Sequence, residues 1–311
     1  MRDSFSKELL QAVEATSLPP KSQIEAYRDS YFKQHYHRAA IIDRADFSTD
    51  HPSLIPTQAI CLLGSMLRYS GIHSPIEESE PYYNKVKALL YANYEPDQRN
   101  VLKALCILAF RNITPPKVVS LDCSWQWIGM ASRLAQQMGF HREETYVQLP
   151  TPGNARRIMW FLFTEDKLVT ACFGRPSLFG DFDFKIRPLK LEDFEIPDLQ
   201  AELCIEYRNL NVILGRLVDC HGRKGEASQE EVLLSTPEAA PLSNNIQALS
   251  LLQSLQNWTH NLPLNLHLFT DQIRNPFRRD IYEVHINYFV CVIVFFRLFG
   301  YTCSPRARPH P

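Results

Sequence analysis

The sequence predicts an all-α protein, a multi-helix array of antiparallel helix pairs. Three observations lead to this prediction. Apolar residues recur with helical spacing in one segment after another, whereas strand-like alternation is weak and scattered. Only 11 glycines occur in 311 residues, which disfavours a fold built on tight turns. The 21 prolines cluster between the apolar segments, where they punctuate helices.

Nine segments carry the helical pattern, and several of them have start and stop signals. Ser79, Asp97 and Asp122 are predicted N-caps, because their side-chain oxygens can accept a bond from a free backbone N–H. Gly71 and Gly139 are predicted stops. The segments cover residues 23–36, 57–70, 79–94, 97–110, 123–138, 155–176, 199–220, 244–262 and 279–299.

The domain organisation follows from where this pattern is interrupted. We expect one domain over residues 23–302, preceded by a partly disordered segment 1–22 and followed by a disordered tail 303–311. Within the domain, the polar stretch 222–243, GRKGEASQEEVLLSTPEAAPLS, is predicted to be a mobile loop.

Composition excludes several classes of protein. The formal net charge is −1 and no basic block occurs, so we do not expect this chain to grip DNA by itself. The eight cysteines lie at least 12 positions apart without a CxxC, which argues against a zinc site. The N-terminus has no signal-peptide pattern, so reduced cysteines in an intracellular compartment are expected. The apolar run 288–296 is too short to span a membrane and predicts a buried core helix.

The usual signatures of enzymes do not occur. The sequence contains no GxxxxGK[ST], GxGxxG, HExxH or GxSxG, so we expect no catalysis, no cofactor and no metal. The alternative is an all-α metal-dependent enzyme that holds magnesium through the acids of GDFDF (Asp181 and Asp183) or of EDFEIPD (192–198). Neither stretch promises carboxylates on one face. The HYH triplet (35–37) predicts a helix-end pair with one ring partly solvated.

Two acids lie inside the apolar segment 155–176, ARRIMWFLFTEDKLVTACFGRP. The helical neighbours of Glu165 and Asp166 are nearly all apolar, so both acids are predicted to point inward, whereas Lys167 is predicted to face solvent. A buried carboxylate is costly unless it is paired. We therefore expect a structural ion pair with an arginine nitrogen within about 3.2 Å. A catalytic or metal-binding carboxylate and an exposed edge are the alternatives. The candidate partners are Arg133, Arg142 and Arg175.

Two stretches carry a more specific signal. SWQWIGMASRLAQQMGFHRE (124–143) and RRIMWFLFTEDKLVTACFGRPSLF (156–179) resemble the fungal-specific transcription factor domain, the middle homology region of the fungal two-zinc-cluster transcription factors. Segments 31–47 and 257–263 resemble other parts of that domain more loosely. The motif residues are Trp127, Gly129, Arg133, Gly139, His141, Arg142, Arg156, Arg157, Trp160, Asp166, Gly174, Arg175 and Pro176.

This resemblance implies a nuclear transcriptional regulator without catalytic activity, of the kind that controls a metabolic gene cluster. Its implied partners are other transcription regulators or a homologous full-length factor, together with a small-molecule effector, and no membrane. No cysteine precedes Cys61, so the zinc cluster of the family is expected to be lacking and DNA to be reached only indirectly. A truncated regulator that acts only through partners is the alternative.

The motif residues of segment 123–138 and of the turn at 174–176 are interpreted as residues for packing and for helix termination. The small residues Gly129, Ala131, Ser132 and Ala135 are expected to let neighbouring helices approach closely. An apolar stripe is expected to fill core volume, and it consists of Trp127, Met130, Leu134 and Met138. Gly174 fits a left-handed helix terminus, and Pro176 prevents the helix from continuing.

Overall fold

The computed structural model describes residues 2–48, 52–68, 70–115, 118–180, 185–230, 239–271 and 273–303. Within these ranges the protein is built of α-helices and one pair of two-residue strands, which confirms the all-α prediction. The helices are α1 Arg2–Ala12, α2 Lys21–Gln34, α3 Leu54–Leu67, α4 Pro75–Tyr91, α5 Gln98–Leu108, α6 Ser124–Gln137, α7 Glu143–Tyr146, α8 Pro152–Phe173, α9 Leu199–Glu230, α10 Ala239–Asn261 and α11 Arg279–Cys303. The antiparallel strands are β1 Phe269–Thr270 and β2 Ile273–Arg274.

Each of the nine predicted segments contains a helix, but the ends differ. Helix α9 continues to Glu230 and α10 begins at Ala239, so both enter the stretch 222–243 that was predicted to be a loop. Residues 231–238 and 304–311 lie outside the described ranges, and the mobile loop and the disordered tail stay predictions. Helix α1 occupies much of the segment 1–22, which was expected to be partly disordered.

The chain divides into two compact units. Unit 1 comprises Met1–Asp166 and Ser177–Ile205, and unit 2 comprises Lys167–Pro176 and Glu206–Pro311. The division cuts α8 and α9, each of which contributes residues to both units. The single domain 23–302 stays a prediction.

The core of unit 1 is centred on α3. This helix is buried from Ile55 to Ser65 and packs against α2, α4 and α5. Gly64 makes the contact with α2 possible, because a Cβ at this position would lie 2.2 Å from the Cβ of Tyr27. No side chain larger than hydrogen fits there unless the two helices separate.

Two of the three N-caps predicted for helices of unit 1 are wrong. Asp97 caps α5 as expected, accepting a bond from the backbone N of Arg99 at 2.9 Å. Helix α4 instead begins one turn before Ser79, where Ser74 and Glu77 form a reciprocal capping box. Cys123, not Asp122, occupies the N-cap position of α6.

Unit 2 contains α10, α11 and the C-terminal part of α9. Helices α10 and α11 pack together, and Trp258 of α10 stacks on Tyr288 of α11 with ring centroids 5.4 Å apart. Residues Arg279–Phe299 contain an 18-residue window with a mean hydropathy of 1.5, and they are long and apolar enough to cross a membrane by length and composition alone. Only 28% of that window is buried, and Phe289, Ile293 and Phe296 are exposed, so the expectation of a buried core helix is wrong for one of its faces.

Candidate functional site

Two consecutive motif arginines at the start of α8 are buried in unit 1. Arg156 is 4% exposed and Arg157 is 3% exposed. Arg157 donates from Nε to the carbonyl of Ala40 at 2.9 Å, and its guanidinium also bonds the carboxylate of Asp43 and the carbonyl of Asp193. Burial alone would lower the pKa of Arg157, but the Asp43 carboxylate raises that pKa above its ordinary value. Arg157 therefore ties α8 to segment 31–47.

Arg156 belongs to a second set of contacts, centred on Asp193. It donates to Asp193 Oδ1 and to Glu143 Oε1, both at 2.6 Å. Asp193 also accepts bonds from Arg187 at 2.7 and 2.9 Å and from the backbone N of Lys190 at 2.9 Å. We call Glu143, Arg156, Arg187 and Asp193 the charge cluster.

Asp193 is the most deeply buried acid of the charge cluster, with 2% of its side chain exposed. Burial by itself would raise the pKa of this carboxyl, but the bonds from Arg187, from the Lys190 backbone and from Arg156 lower that pKa below its ordinary value. The backbone of α8 also approaches closely here, because a Cβ at Gly153 would lie 2.4 Å from the carbonyl oxygen of Asp193. The charge cluster therefore fixes the turn 187–193 against the start of α8.

The segment 31–47 is held by the hydroxyl group of Tyr31. This fully buried oxygen accepts bonds from the backbone N of Ile41 at 3.2 Å and of Ile42 at 3.1 Å, and it donates to the carbonyl of Ala39. Asn154 of α8 donates to the carbonyl of Ile41 at 2.8 Å. Burial raises the pKa of Tyr31 well above its ordinary value, so the hydroxyl stays protonated and can donate.

Asp166 points into unit 1, as predicted, and is 2% exposed. It accepts bonds from Ser177 Oγ at 2.6 Å and from the backbone N of Leu178 at 2.9 and 3.0 Å and of Phe179 at 3.3 Å. These donors follow the Gly-Arg-Pro turn, so Asp166 anchors the chain that returns from the end of α8. Its neighbour Glu165 is only half-buried. An arginine partner for either acid stays a prediction.

The turn after α8 has the predicted geometry. The helix ends at Phe173, and Gly174 follows with φ of 64°, a left-handed conformation that favours glycine. Arg175 is half-buried and Pro176 is exposed. The prediction of a helix stop at Gly174 and Pro176 is confirmed.

Lys167 contradicts its predicted position. It is 2% exposed, not solvent-facing, and its Nζ lies 3.1 Å from Oδ2 of Asp219 within unit 2. The stem of Lys167 packs over Gly215, where a Cβ would lie 3.0 Å from its Cγ. The local pattern around Lys167 gave no sign of an acid that lies far along the chain on α9.

The motif residues of α6 are partly in the core and partly on the surface. Trp127 is 1% exposed and donates from Nε1 to the hydroxyl of Tyr83 at 2.9 Å, which agrees with its predicted core role. Met130 is 42% exposed and does not fill the core as expected, and Arg133 is also exposed. A Cβ at Gly129 would meet nothing closer than 3.6 Å, so this glycine is not required for a close helix approach.

The end of α6 is formed by the remaining motif residues. Gly139 has φ of 76°, and the backbone N of Phe140 donates back to the carbonyl of Ala135 at 3.0 Å, which closes the helix as predicted. Arg142 is exposed and donates from Nε to Nε2 of His141 at 3.0 Å. Trp160 of α8 donates from Nε1 to the carbonyl of Arg187 at 2.9 Å, next to the charge cluster.

Of the two acidic stretches considered as magnesium sites, the structure describes the acids of only one, EDFEIPD. Asp193 of EDFEIPD is surrounded by cationic donors, which leaves no room for a metal ion. Asp181 and Asp183 lie outside the described residues. Within the described residues, no group of three or more His, Cys, Asp or Glu side chains could hold a metal ion.

The histidine pair is also a packing feature. His35 is 8% exposed and meets Phe110 edge to face with ring centroids 4.7 Å apart. His37 is fully buried beside Gln200 Oε1, at 3.1 Å from its Nδ1. The expectation that one ring is partly solvated is wrong, because both rings are buried against other helices or their flanking turns.

A groove lies beside segment 31–47 in unit 1, with a volume of about 440 Å³. The guanidinium carbon of Arg44 stands 4.0 Å from the ring centroid of Phe32, and that of Arg28 stands 5.7 Å from the ring centroid of Phe47. Lys33 also lines the groove. The full lining is Arg28, Asp29, Phe32, Lys33, Arg44, Phe47 and Ser48. Three cations and one acid give this groove a positive charge, a feature that the sequence pattern did not reveal.

The charge cluster is suited to stabilisation and not to proton transfer. Its carboxylates accept several strong bonds from arginine donors, and Asp43 likewise accepts from Tyr36, Asn154 and Arg157. A general base needs a carboxylate or imidazole that can reach a substrate proton. Sequence reasoning found Arg156 and Arg157 through the motif but missed Asp43 and Arg187, because no local pattern shows that these half-buried residues pair with buried charges.

The comparisons with known proteins agree with the motif. The chain matches the fungal specific transcription factor domain over residues 29–214. It is 26% identical over 239 residues to Cutinase transcription factor 1 alpha of Fusarium vanettenii, which covers 68% of this chain and 26% of that protein. It is 22% identical over 316 residues to the Acetamidase regulatory protein of Aspergillus fumigatus, which covers 96% of this chain and 36% of that protein. The corresponding protein of Emericella nidulans is 23% identical, over 96% of this chain and 35% of its own length.

The matched region contains the charge cluster and every motif residue. The chain spans about a quarter to a third of the length of these curated relatives. No solved structure matches it at a significant level. The relatives are transcription regulators, not enzymes, which supports the expectation of no catalysis. Because the match extends over more than half of its length, the chain belongs to the family of fungal specific transcription factor domains.

Proposed function

We propose that this chain is the regulatory domain of a fungal transcriptional regulator, that it acts in the nucleus, and that it controls genes of metabolism. The family match over residues 29–214 carries this proposal. Two of the relatives bear names that refer to cutinase and acetamidase, which supports a metabolic target. The charge cluster fixes the turn 187–193 against α8, and Arg157 ties segment 31–47 to the same helix, so that unit 1 presents a stable surface to partners.

The proposed route to DNA is indirect. A net charge of −1 without a basic block cannot supply the electrostatic attraction to phosphates that DNA binding by one chain requires. The domain therefore works with another transcription regulator or with a homologous full-length factor that holds the DNA. A membrane has no part in this proposal.

The proposed effector is a small organic anion that binds in the groove beside segment 31–47. Arg28, Lys33 and Arg44 supply positive charge, and the half-buried ring of Phe47 supplies apolar surface, whereas the ring of Phe32 is buried and lies beneath the guanidinium of Arg44. Pockets for small molecules typically combine an apolar lining with a few fixed polar groups. An aromatic carboxylate matches both features, and benzoate is a suitable first probe.

A reporter assay tests the regulatory function. The 311-residue chain is fused to a heterologous DNA-binding module, and reporter output is compared with that of the module alone in cells grown on several carbon and nitrogen sources. We expect the fusion to change output at least threefold, up or down, in one or more media. Equal output in every medium, at equal protein levels, would contradict the proposal. A fluorescent fusion tests the location independently, and exclusion from the nucleus would contradict that part.

Thermal unfolding tests the effector groove. We expect millimolar benzoate to raise the unfolding temperature of the wild-type chain, because a ligand that binds only the folded state stabilises it. The Arg28→Ala/Arg44→Ala variant should lose this shift. Arg99→Ala serves as the control, since Arg99 lies away from the groove and pairs with Asp97 at 3.4 Å. An equal shift in all three proteins would refute binding at this groove.

A further inference from the structure

Helix α11 has one face that belongs to the core of unit 2. Val284, Cys291, Phe295 and Phe299 are buried on this face. Cys291 contacts the carbonyl of Leu210 on α9, with a sulfur–oxygen distance of 3.7 Å. Helix α11 is therefore held in unit 2 through this face, between Val284 and Phe299.

The opposite face is apolar and exposed. Ile286 is 60% exposed, Phe289 55%, Ile293 64% and Phe296 55%. These four residues, which we call the α11 seam, follow one another at spacings of three, four and three positions. That is the a/d spacing of a coiled coil, in which apolar side chains line the contact between two helices. Single exposed apolar residues are ordinary on soluble proteins, but a contiguous row of this kind marks an interaction site.

The size of the α11 seam fits a pair of helices. Four large side chains with more than half of their surface exposed present about 500 Å². Two such surfaces in contact would bury about 1,000 Å², which is the lower end of what a specific protein interface needs. The face is thus large enough for a second helix of the same kind.

The order of the side chains makes the seam complementary to itself when two copies run antiparallel. With the twofold axis at residue 291, Ile286 lies opposite Phe296 of the second copy and Phe289 lies opposite its Ile293. Each large ring then meets a smaller branched side chain, as in a well-packed interior. A parallel pair would place ring against ring and would bring the two N-terminal ends of α11, which carry Arg279, side by side.

Charge also favours the antiparallel pair. Glu283, which pairs with Arg279 of its own helix at 2.8 Å, lies near the N-terminal end of the seam, and the exposed Arg297 follows its C-terminal end. Antiparallel pairing brings each Glu283 towards Arg297 of the second copy, and it opposes the two helix dipoles. From the spacing, area and order of the seam, we propose that α11 is a self-association surface through which two copies of this chain form an antiparallel, twofold-symmetric dimer.

Sedimentation of the full 311-residue chain tests the proposal. We expect a reversible dimer with a dissociation constant in the micromolar range. The Phe289→Glu/Phe296→Glu variant should be monomeric, or at least tenfold weaker, while its circular dichroism stays that of a helical protein. Phe269→Glu/Phe277→Glu is the matched control, because these two phenylalanines are 58% and 68% exposed in the same unit but lie off the seam. A wild-type monomer at 100 μM, or a dimer that both variants retain equally, would overturn the proposal.

Disulfide trapping tests the orientation of the pair. In a Cys172→Ser/Cys303→Ser background, which lacks the exposed thiol of Cys172, the Ile286→Cys/Phe296→Cys variant should form a covalent dimer on mild oxidation. Neither Ile286→Cys nor Phe296→Cys alone should form this covalent dimer. In an antiparallel pair the two copies of the same residue lie about 15 Å apart along the helix axis, whereas a disulfide joins Cα atoms no more than roughly 7 Å apart. Self-linking of Phe296→Cys alone would overturn the antiparallel arrangement.

A lipid surface is the competing occupant, since residues Arg279–Phe299 satisfy the length and hydropathy of a membrane span. Flotation with phosphatidylcholine vesicles distinguishes the two. We expect the wild-type chain to stay in the protein fraction. Flotation that Phe289→Glu/Phe296→Glu abolishes would assign the seam to membranes and overturn the dimer.

Discussion

Replacing Asp193 with alanine should destabilise unit 1 by about 3–5 kcal/mol, because it removes one partner from a buried ion pair. The carboxylate, which is 2% exposed, accepts bonds from Arg156 at 2.6 Å and from Arg187 at 2.7 and 2.9 Å. The substitution leaves the guanidinium of Arg156, which is 5% exposed, without its closest buried counter-charge. For a unit of this size, the loss corresponds to a fall in unfolding temperature on the order of 10 °C.

The assay is urea unfolding followed by tryptophan fluorescence in a Trp258→Phe background. Trp258 is the only one of the four tryptophans in unit 2, so the remaining signal reports unit 1. Glu192→Gln is the matched control. Glu192 also forms an ion pair with Arg187, with Oε1 3.1 Å from a guanidinium nitrogen, but 64% of its side chain is exposed. Exposed pairs contribute less than about 1 kcal/mol. Equal, small effects of the two substitutions would refute the view that the charge cluster holds unit 1 together.

The same site has a pH dependence. The pKa of Asp193 in the folded protein is lowered by its arginine partners despite burial. Its contribution to stability is therefore fully present above the unfolded pKa of about 3.9 and is lost as the pH falls through the lower folded pKa. The stability gap between the wild type and Asp193→Asn should be constant from pH 7 to 5 and should shrink below about pH 4. A gap that widens on acidification would contradict this assignment.

Three further predictions concern other parts of the fold. Gly64→Ala should lower the free energy of unfolding by more than about 2 kcal/mol, because its Cβ would lie 2.2 Å from a side-chain carbon of α2. Gly129→Ala should leave that free energy unchanged or raise it by up to about 1 kcal/mol. Urea unfolding of the two variants measures the difference. Asp219→Ala should destabilise unit 2 by several kcal/mol, because Lys167 is 2% exposed and lies 3.1 Å from this acid. An effect under about 0.5 kcal/mol would contradict that pairing. Burial lowers the pKa of His285 in the folded protein. Unit 2 should therefore lose stability as the pH falls through the unfolded histidine pKa of about 6.5. In unfolding measured from pH 8 to 5, His285→Gln should remove that loss.

The helices and their stops could be predicted because they depend on local patterns. Apolar periodicity located nine helices. Gly139 and Gly174 were predicted as stops from their positions after apolar segments, and both adopt positive φ in the structure, with values of 76° and 64°. The burial of Asp166 was also local, since its helical neighbours are apolar. The family motif singled out both arginines of α8, which lie in the matched region, but it did not predict that they are buried.

The partners of the charged residues could not be predicted, because they come from distant parts of the chain. Lys167 was expected in solvent because its helical neighbours are more polar than those of Glu165 and Asp166, but Asp219 from α9 allows it to be buried. Asp193 lies in a polar stretch between prolines, and the bonds from Arg187, the Lys190 backbone and Arg156 make its burial favourable. Met130 lies on an apolar helical stripe and is nevertheless 42% exposed, because helical periodicity alone does not show which side of α6 faces the core.

The central claim is that the charge cluster maintains a fold whose function is transcriptional regulation. The most direct test is the reporter assay with the chain fused to a heterologous DNA-binding module, repeated with Asp193→Ala and Glu192→Gln at equal protein levels. We expect the wild type and Glu192→Gln to change reporter output equally and Asp193→Ala to lose most of the effect. Full regulatory output from Asp193→Ala, or none from the wild type in any medium, would contradict it.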